Sequence, residues 1–375
     1  MKTNGHLLSS MRDILHLQRT EGPLQATAAI QRALQGGTGE RGHPIPQALG
    51  GVGAASDSGD VRLGANPLVC TKARRAFPGP RVAGANANER GDFIAKSYAN
   101  NRGQRDYKVY VPRGHSHEPW PLIVMLHGCT QDADDFSAGT RMNALADQHE
   151  FLVAYPIQAQ RANPGRCWNW FKPSDQQRDR GEPALIAGVT RDVLASYSID
   201  PTRVYVAGLS AGGAMAAVMI HTYPDLYAAA GIHSGLSYRC AHDLPSALTS
   251  MKRGKQAHGS SVVPNKEVGA PRRPLIVFHG DADATVHPSN GEELVREFAS
   301  SASVLPQEHH RPAGQRPCTR WRLTAVNGVA AEYWVIHGGP HAWAGGSSEG
   351  SYTDASGPDA SAEMVRFFSA NTLQQ

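Results

Sequence analysis

Gly208-Leu209-Ser210-Ala211-Gly212 lies between a β-branched run, Val204-Tyr205-Val206, and a small-residue helical pattern from Ala214 to Ile220. This order of strand, turn and helix is the context a G-x-S-x-G nucleophile elbow requires. Small residues two places before and two after the serine let strand and helix approach while the serine takes a strained backbone. Ser210 is therefore the candidate nucleophile. In a chain with 39 glycines the same pattern can be a plain turn, so the reading rests on what flanks it.

Upstream, Pro121-Leu122-Ile123-Val124-Met125-Leu126 reads as a buried strand that stops abruptly at His127-Gly128-Cys129-Thr130-Gln131. A tetrahedral acyl intermediate needs two backbone N–H donors. One comes from the residue after the nucleophile, Ala211, and one from a loop at this position, for which Cys129 is the candidate. Downstream, Pro274-Leu275-Ile276-Val277-Phe278 repeats the strand signature and ends in His279-Gly280-Asp281-Ala282-Asp283. A carboxylate thus follows a strand's carboxyl end, where a triad acid belongs, and spacing does not choose between Asp281 and Asp283. A third strand, Glu332-Tyr333-Trp334-Val335-Ile336, leads into His337-Gly338-Gly339-Pro340-His341-Ala342-Trp343, which offers two histidines as base. The chain order serine, aspartate, histidine is that of α/β-hydrolases. A serine hydroxyl is nearly inert until a neutral imidazole takes its proton, and a buried aspartate sets that imidazole's tautomer.

The stretches His127-Gly128-Cys129-Thr130-Gln131, Cys167-Trp168-Asn169-Trp170-Phe171, Gly208 to Gly213, His279 to Asp283 and Gly339-Pro340-His341-Ala342-Trp343-Ala344-Gly345-Gly346 together resemble the catalytic domain of the polyhydroxybutyrate depolymerase family of esterases. The likeness runs over residues 92–370. It implies Asp283 as the acid, His341 as the base and the Cys129 amide as an oxyanion donor. It also implies hydrolysis of poly(3-hydroxybutyrate) or its oligomers through an acyl-serine. Feruloyl, acetylxylan-type or general short-chain esters are the alternative, since the family shades into such enzymes. A noncatalytic binding protein on a hydrolase scaffold is the third reading, and intact Ser210, Asp283 and His341 count against it.

Trp168, Asn169 and Trp170 sit in an irregular Pro/Asn/Gly-rich stretch with no helix or strand of its own. Flat amphipathic rings there suit an ester chain, and with Trp343 they are the expected substrate-binding residues. Cys129 and Cys167 are the candidate disulfide pair if one exists, because both loops are expected on the active-site face. The fold expected is α/β: a mostly parallel sheet with strands near 122–126, 151–155, 203–208, 228–233, 275–279 and 332–336, preceded by a hairpin around Asn100-Asn101-Arg102-Gly103. Helices are expected near 140–149, 184–197, 211–223, 289–299 and 359–369, and residues 236–273 read as an excursion or lid.

Hydrophobic spacings of three and four predict a short amphipathic helical extension over 1–35 that could contact a polymer-granule surface. A Gly/Pro-rich linker over 36–90 and the catalytic domain over 91–372 follow. The sequence ends soon after Phe367-Phe368, and no polymer-binding module is expected after the catalytic domain. No run is long and apolar enough for a transmembrane segment, and no secretory signal is visible, so a cytoplasmic location is expected, with secretion as the alternative. Five cysteines without metal-type spacing and scattered histidines imply no metal and no cofactor. A formal net charge of +4 with dispersed Lys and Arg does not imply nucleic acid.

Overall fold

Apolar runs buried on both faces build the centre of the molecule. The computed structural model describes residues 91–115, 118–253, 273–299, 302–304, 307–311, 314–325 and 328–373. The expected helical extension (1–35), the linker (36–90) and residues 254–272 of the 236–273 excursion lie outside the described residues; within the excursion, Leu244–Arg253 forms a helix, α5.

The sheet begins with the expected hairpin, β1 (Asp92–Asn100) and β2 (Gly103–Val111), closed at the pair Asn100 and Gly103. The parallel strands are β3 (Trp120–Leu126), β4 (Leu152–Pro156), β5 (Ile199–Leu209), β6 (Ala229–His233), β7 (Leu275–Gly280) and β11 (Ala330–Ile336). Every residue of β3, β4, β6 and β7 is buried, as expected for strands covered on both sides. Across the sheet the order is β1-β2-β4-β3-β5-β6-β7-β11, followed by an antiparallel extension through β10 (Cys318–Ala325) with β8 (Ala302–Val304) and β9 (Glu308–His310). The chain steps from β3 to β4 on one side and then to β5 on the other. The carboxyl ends of β3 and β5 therefore flank the crevice where open α/β sheets bind ligands.

One face is covered by α3 (Gly181–Ser196) and α4 (Ala211–Thr222), with Ile186, Val189 and Met215 packed on Val124 and Val206. The other carries α1 (Ala133–Thr140), α2 (Met142–His149) and α7 (Ala360–Ser369), where Phe136, Met142 and Phe368 meet Ile123 and Tyr205. Helix α6 (Ser289–Ala299) follows β7. The helix expected near 140–149 is α2; α1 before it was not expected, and Arg141, with a left-handed φ of 54°, separates the two. The antiparallel extension was not expected. β8 and β9 are three residues each, and β10, which lies between them and β11, alternates charged and apolar residues (Arg320, Trp321, Arg322, Leu323). This is the pattern of an antiparallel strand with one solvated face and not of a buried parallel strand.

Candidate active site

The elbow forms because backbone has to pass backbone. Ser210 joins β5 to α4 with φ 56° and ψ −117°, a strained conformation for a residue with a side chain. A Cβ at Gly212 would lie 2.0 Å from the Leu126 carbonyl oxygen and 2.5 Å from that of His127, and one at Gly208 would lie 2.4 Å from the backbone of Gly212. Glycine at both places is what brings the nucleophile position against the loop leaving β3. The Ser210 amide donates to the His233 carbonyl at 2.9 Å, continuing the ladder between β5 and β6. No hydrogen bond of the Ser210 hydroxyl is formed among the described residues, and catalytic hydrogen bonds of this kind are often long until substrate binds.

The choice between two aspartates and two histidines resolves into two pairs. His341 Nδ1 donates to Asp283 Oδ2 at 2.7 Å, with the carboxylate fully buried and the imidazole 12% exposed. His337 Nδ1 donates to Asp281 Oδ2 at 2.9 Å, with both side chains more than 40% exposed. Only the first pair sits in the dry surroundings that make a buried acid effective. Asp283 Oδ1 accepts the amides of Thr285 and Val286 at 2.9 and 2.8 Å. His279 stands on the other side, its Nε2 donating to the Val286 carbonyl at 2.9 Å and lying 3.4 Å from Asp283 Oδ2. Burial works against ionising Asp283, but the hydrogen bonds and charges of His279 and His341 outweigh it and hold the carboxyl far below the usual range.

Sequence reasoning missed His233. It is fully buried at the end of β6, its Nε2 accepts the Ala344 amide at 3.0 Å, and its Nδ1 donates to Ser234 Oγ at 3.2 Å. Burial, reinforced by His279 and His341 nearby, pushes it down to about 3, so it stays neutral and remains an acceptor. Its backbone holds Ser210 and its side chain holds the loop of His341, which ties the two candidate residues together through one residue.

The loop after β3 is fixed from three directions. Gln131 Oε1 accepts the Gly128 amide at 2.9 Å, and Gln131 Nε2 donates to Asp135 Oδ2 at 2.7 Å and to the Ser351 carbonyl at 3.1 Å. The Thr130 amide donates to the Gly165 carbonyl at 2.7 Å. Cys129 and Cys167 form a disulfide, the pairing considered from sequence. With Gly128 and Thr130 committed, the Cys129 amide has no hydrogen-bond partner among the described residues, and Ala211 is the first residue of α4, where an amide has no acceptor inside the helix. His127 Nδ1 donates to the Gly128 carbonyl and its Nε2 accepts the Gln158 amide, and burial pushes it down to about 4.

The expected substrate-binding residues are all buried. Trp168 is fully buried with its indole N–H donating to the His127 carbonyl at 3.1 Å. Asn169 is buried and bonds both oxygens of Glu182. Trp170 packs in the core with Trp168, and Trp343 is buried with its N–H on Ser361 Oγ at 3.0 Å. The irregular loop has no core of its own but lies on the one made by α3 and the sheet, which takes both indoles. Its polar atoms are met by Arg105, Gln158 and Glu182, the last raised by burial and by Asp175 against the opposing charge of Arg105. These contacts brace the loops that carry the site. Among the described residues there is no group of three or more His, Cys, Asp or Glu side chains that could hold a metal ion, and no helix is long and apolar enough to cross a membrane.

A mostly parallel sheet with a serine elbow at its switch point, and an Asp–His pair on the same edge, defines an α/β-hydrolase fold. A solved acetyl xylan esterase from Aspergillus awamori shares it, with a TM-score of 0.54 at 22% identity over 67% of this chain and 94% of that one. The family described as esterase PHB depolymerase matches residues 105–318, and the chain belongs to that family. It is 38% identical over 209 residues to poly(3-hydroxyalkanoate) depolymerase C of Paucimonas lemoignei, covering 54% of this chain and 50% of that protein. It is 32% identical over 207 residues to feruloyl esterase B of Neurospora crassa, covering 52% and 70%. The chain thus spans about half the length of the depolymerase it matches.

Proposed function

We propose that the protein hydrolyses carboxylic esters through an acyl-serine, with poly(3-hydroxybutyrate) or its oligomers as substrate. The observation that carries the mechanism is the buried Asp283–His341 hydrogen bond of 2.7 Å on the sheet edge that also presents Ser210. Ser210 Oγ attacks the ester carbonyl carbon while His341 Nε2 takes its proton. The oxyanion is met by the amides of Cys129 and Ala211, and the C–O bond breaks as His341 returns the proton to the departing alkoxide. Water, activated by the same imidazole, then attacks the acyl-serine and releases acid and free hydroxyl. Asp283 holds Nδ1–H in place and stabilises the imidazolium.

The polyester reading is supported by the family and by the 38% identity to the Paucimonas depolymerase. The feruloyl or acetyl ester reading is supported by the 32% identity to feruloyl esterase B. The Cys129–Cys167 disulfide supports maturation in an oxidising compartment, against the cytoplasmic expectation, so a polymer surface outside the cytoplasm replaces an intracellular granule as the proposed partner. Assays of the protein and of Ser210→Ala on amorphous polyhydroxybutyrate, methyl ferulate and short p-nitrophenyl esters test both. Loss of the nucleophile removes turnover by about a million-fold in serine hydrolases. A variant close to wild type sinks the mechanism, and ferulate cleaved far faster than polyester sinks the substrate.

A further inference from the structure

Trp168, Trp170 and Trp343 are buried in the fold. Among the described residues two large apolar side chains stand out as exposed, Ile94 at 38% and Tyr352 at 44%. Ile94 lies on β1, four strands from β5 across the sheet. Tyr352 lies at the site. Its hydroxyl is 3.3 Å from Thr130 Oγ1, on the residue next to Cys129, and its carbonyl accepts the Trp343 amide at 2.7 Å, two residues past His341. One residue therefore touches both the oxyanion loop and the loop of the base.

Tyr352 is also held in a conformation that a bulky side chain avoids, with φ 52°. The neighbouring residues keep it there. Ser351 gives its amide to Asp135 Oδ1 at 2.8 Å and its hydroxyl to Asp135 Oδ2 at 2.6 Å, and its carbonyl accepts from Gln131 Nε2. On the other side Thr353 pairs with Trp343 in the short parallel ladder of β12 (Trp343–Ala344) and β13 (Thr353–Asp354). Gln131 thus fixes the Gly128 amide and the Tyr352 segment with one side chain. At 44% exposure the residue leaves part of an aromatic surface open to solvent beside both loops.

We propose that Tyr352 is a specificity-determining residue that packs its ring against the alkyl or aryl part of the ester beside the oxyanion donors, favouring extended apolar acyl chains over acetyl. The ring offers an apolar face, and its hydroxyl, paired with Thr130, offers polar contact to the next ester oxygen of an oligomer. The proposal rests on the Ser210–His341 reading of the site.

Two variants test it in the full chain. Tyr352→Asn removes the ring while tolerating the left-handed backbone, and Tyr352→Phe keeps the ring alone. Each is assayed on p-nitrophenyl acetate and octanoate and on a hydroxybutyrate trimer, with the rate of covalent labelling by a small organophosphate as a measure of nucleophile reactivity. Tyr352→Asn is expected to lower kcat/KM about tenfold on octanoate and trimer, mainly through KM, the scale of a lost apolar contact in a pocket. Acetate hydrolysis and labelling should change less than about twofold. Tyr352→Phe should match wild type on octanoate and fall only on the trimer. An equal loss on acetate and octanoate, or no loss on either, overturns the assignment while Ser210 labelling stands. Labelling of wild type at a residue other than Ser210 overturns the underlying site as well.

Discussion

Replacing both Cys129 and Cys167 by alanine removes the one covalent tether on the oxyanion loop, and its cost follows from the chain it closes. The two residues are 38 apart in sequence. In the chain-entropy treatment, a crosslink closing a loop of that length restrains the unfolded chain by about 4 kcal/mol at 25 °C. The native contacts across the same junction, Thr130 to Gly165 and Arg166 to Asp132, remain in the variant, so most of the change belongs to the unfolded state. Urea unfolding followed by tryptophan fluorescence measures it, on wild type with and without dithiothreitol and on the double variant. Reduced wild type and variant should unfold together, at clearly lower urea than oxidised wild type. Esterase turnover should fall in both, since the Cys129 amide loses its lateral support. If the double variant lies within about 1 kcal/mol of oxidised wild type, the loop-closure argument is refuted. Coincidence of oxidised and reduced wild type would refute the bond itself.

Acid should weaken the fold before it reaches the ordinary carboxylate range. His127 and His233 are pushed down to about 4 and about 3 by burial. The unfolded chain holds protons on both below about pH 6.5 while the folded one does not. Stability is therefore full above that pH and is lost as pH falls toward 4, by about 3 kcal/mol for each histidine. Urea midpoints measured from pH 7 to 4 should drop steeply, His233→Gln should flatten the slope, and an unchanged slope in that variant would contradict the assignment. Gly212→Ala places a methyl 2.0 Å from the Leu126 carbonyl oxygen, so backbone must move. A loss of about 3 kcal/mol with collapse of turnover is expected from such overpacking, and wild-type stability in this variant would mean that the elbow is not built this way.

The parallel strands and the elbow were legible because each is a local pattern: an apolar run, then glycine or histidine, then loop. The choice of Asp283 and His341 over Asp281 and His337 was not legible from spacing, since both pairs occupy equivalent places after β7 and β11. Burial separates them, and burial is a property of the packed molecule. The tryptophans misled for the same reason: Trp168 and Trp170 carry no helical or strand period, yet the loop lies on a core made elsewhere. His233 had a signal that passed unused. β3, β6, β7 and β11 are each followed or ended by histidine (His127, His233, His279, His337), and each imidazole bonds a neighbouring loop. An imidazole whose other nitrogen is already engaged can accept an amide without carrying charge, which suits the dry rim of a sheet. In the extension, β8 and β9 are three residues each and too short to show a period, whereas the charged and apolar alternation of β10 was a signal left unused.

The proposed acid and base follow adjacent strands, β7 and β11, whereas Ser210 follows β5, two strands from β7, with β6 between them. At roughly 4.8 Å per strand, the width of β6 works as a gauge for the gap that the nucleophile bridges. β7 and β11 are zipped as far as Gly280 and Ile336, and the seam between β6 and β7 is closed up to His233 and Phe278, with the Ser234 amide on the Phe278 carbonyl at 2.9 Å. On the proposed reading, damage along that seam would leave the Asp283–His341 pair intact with nothing to deprotonate.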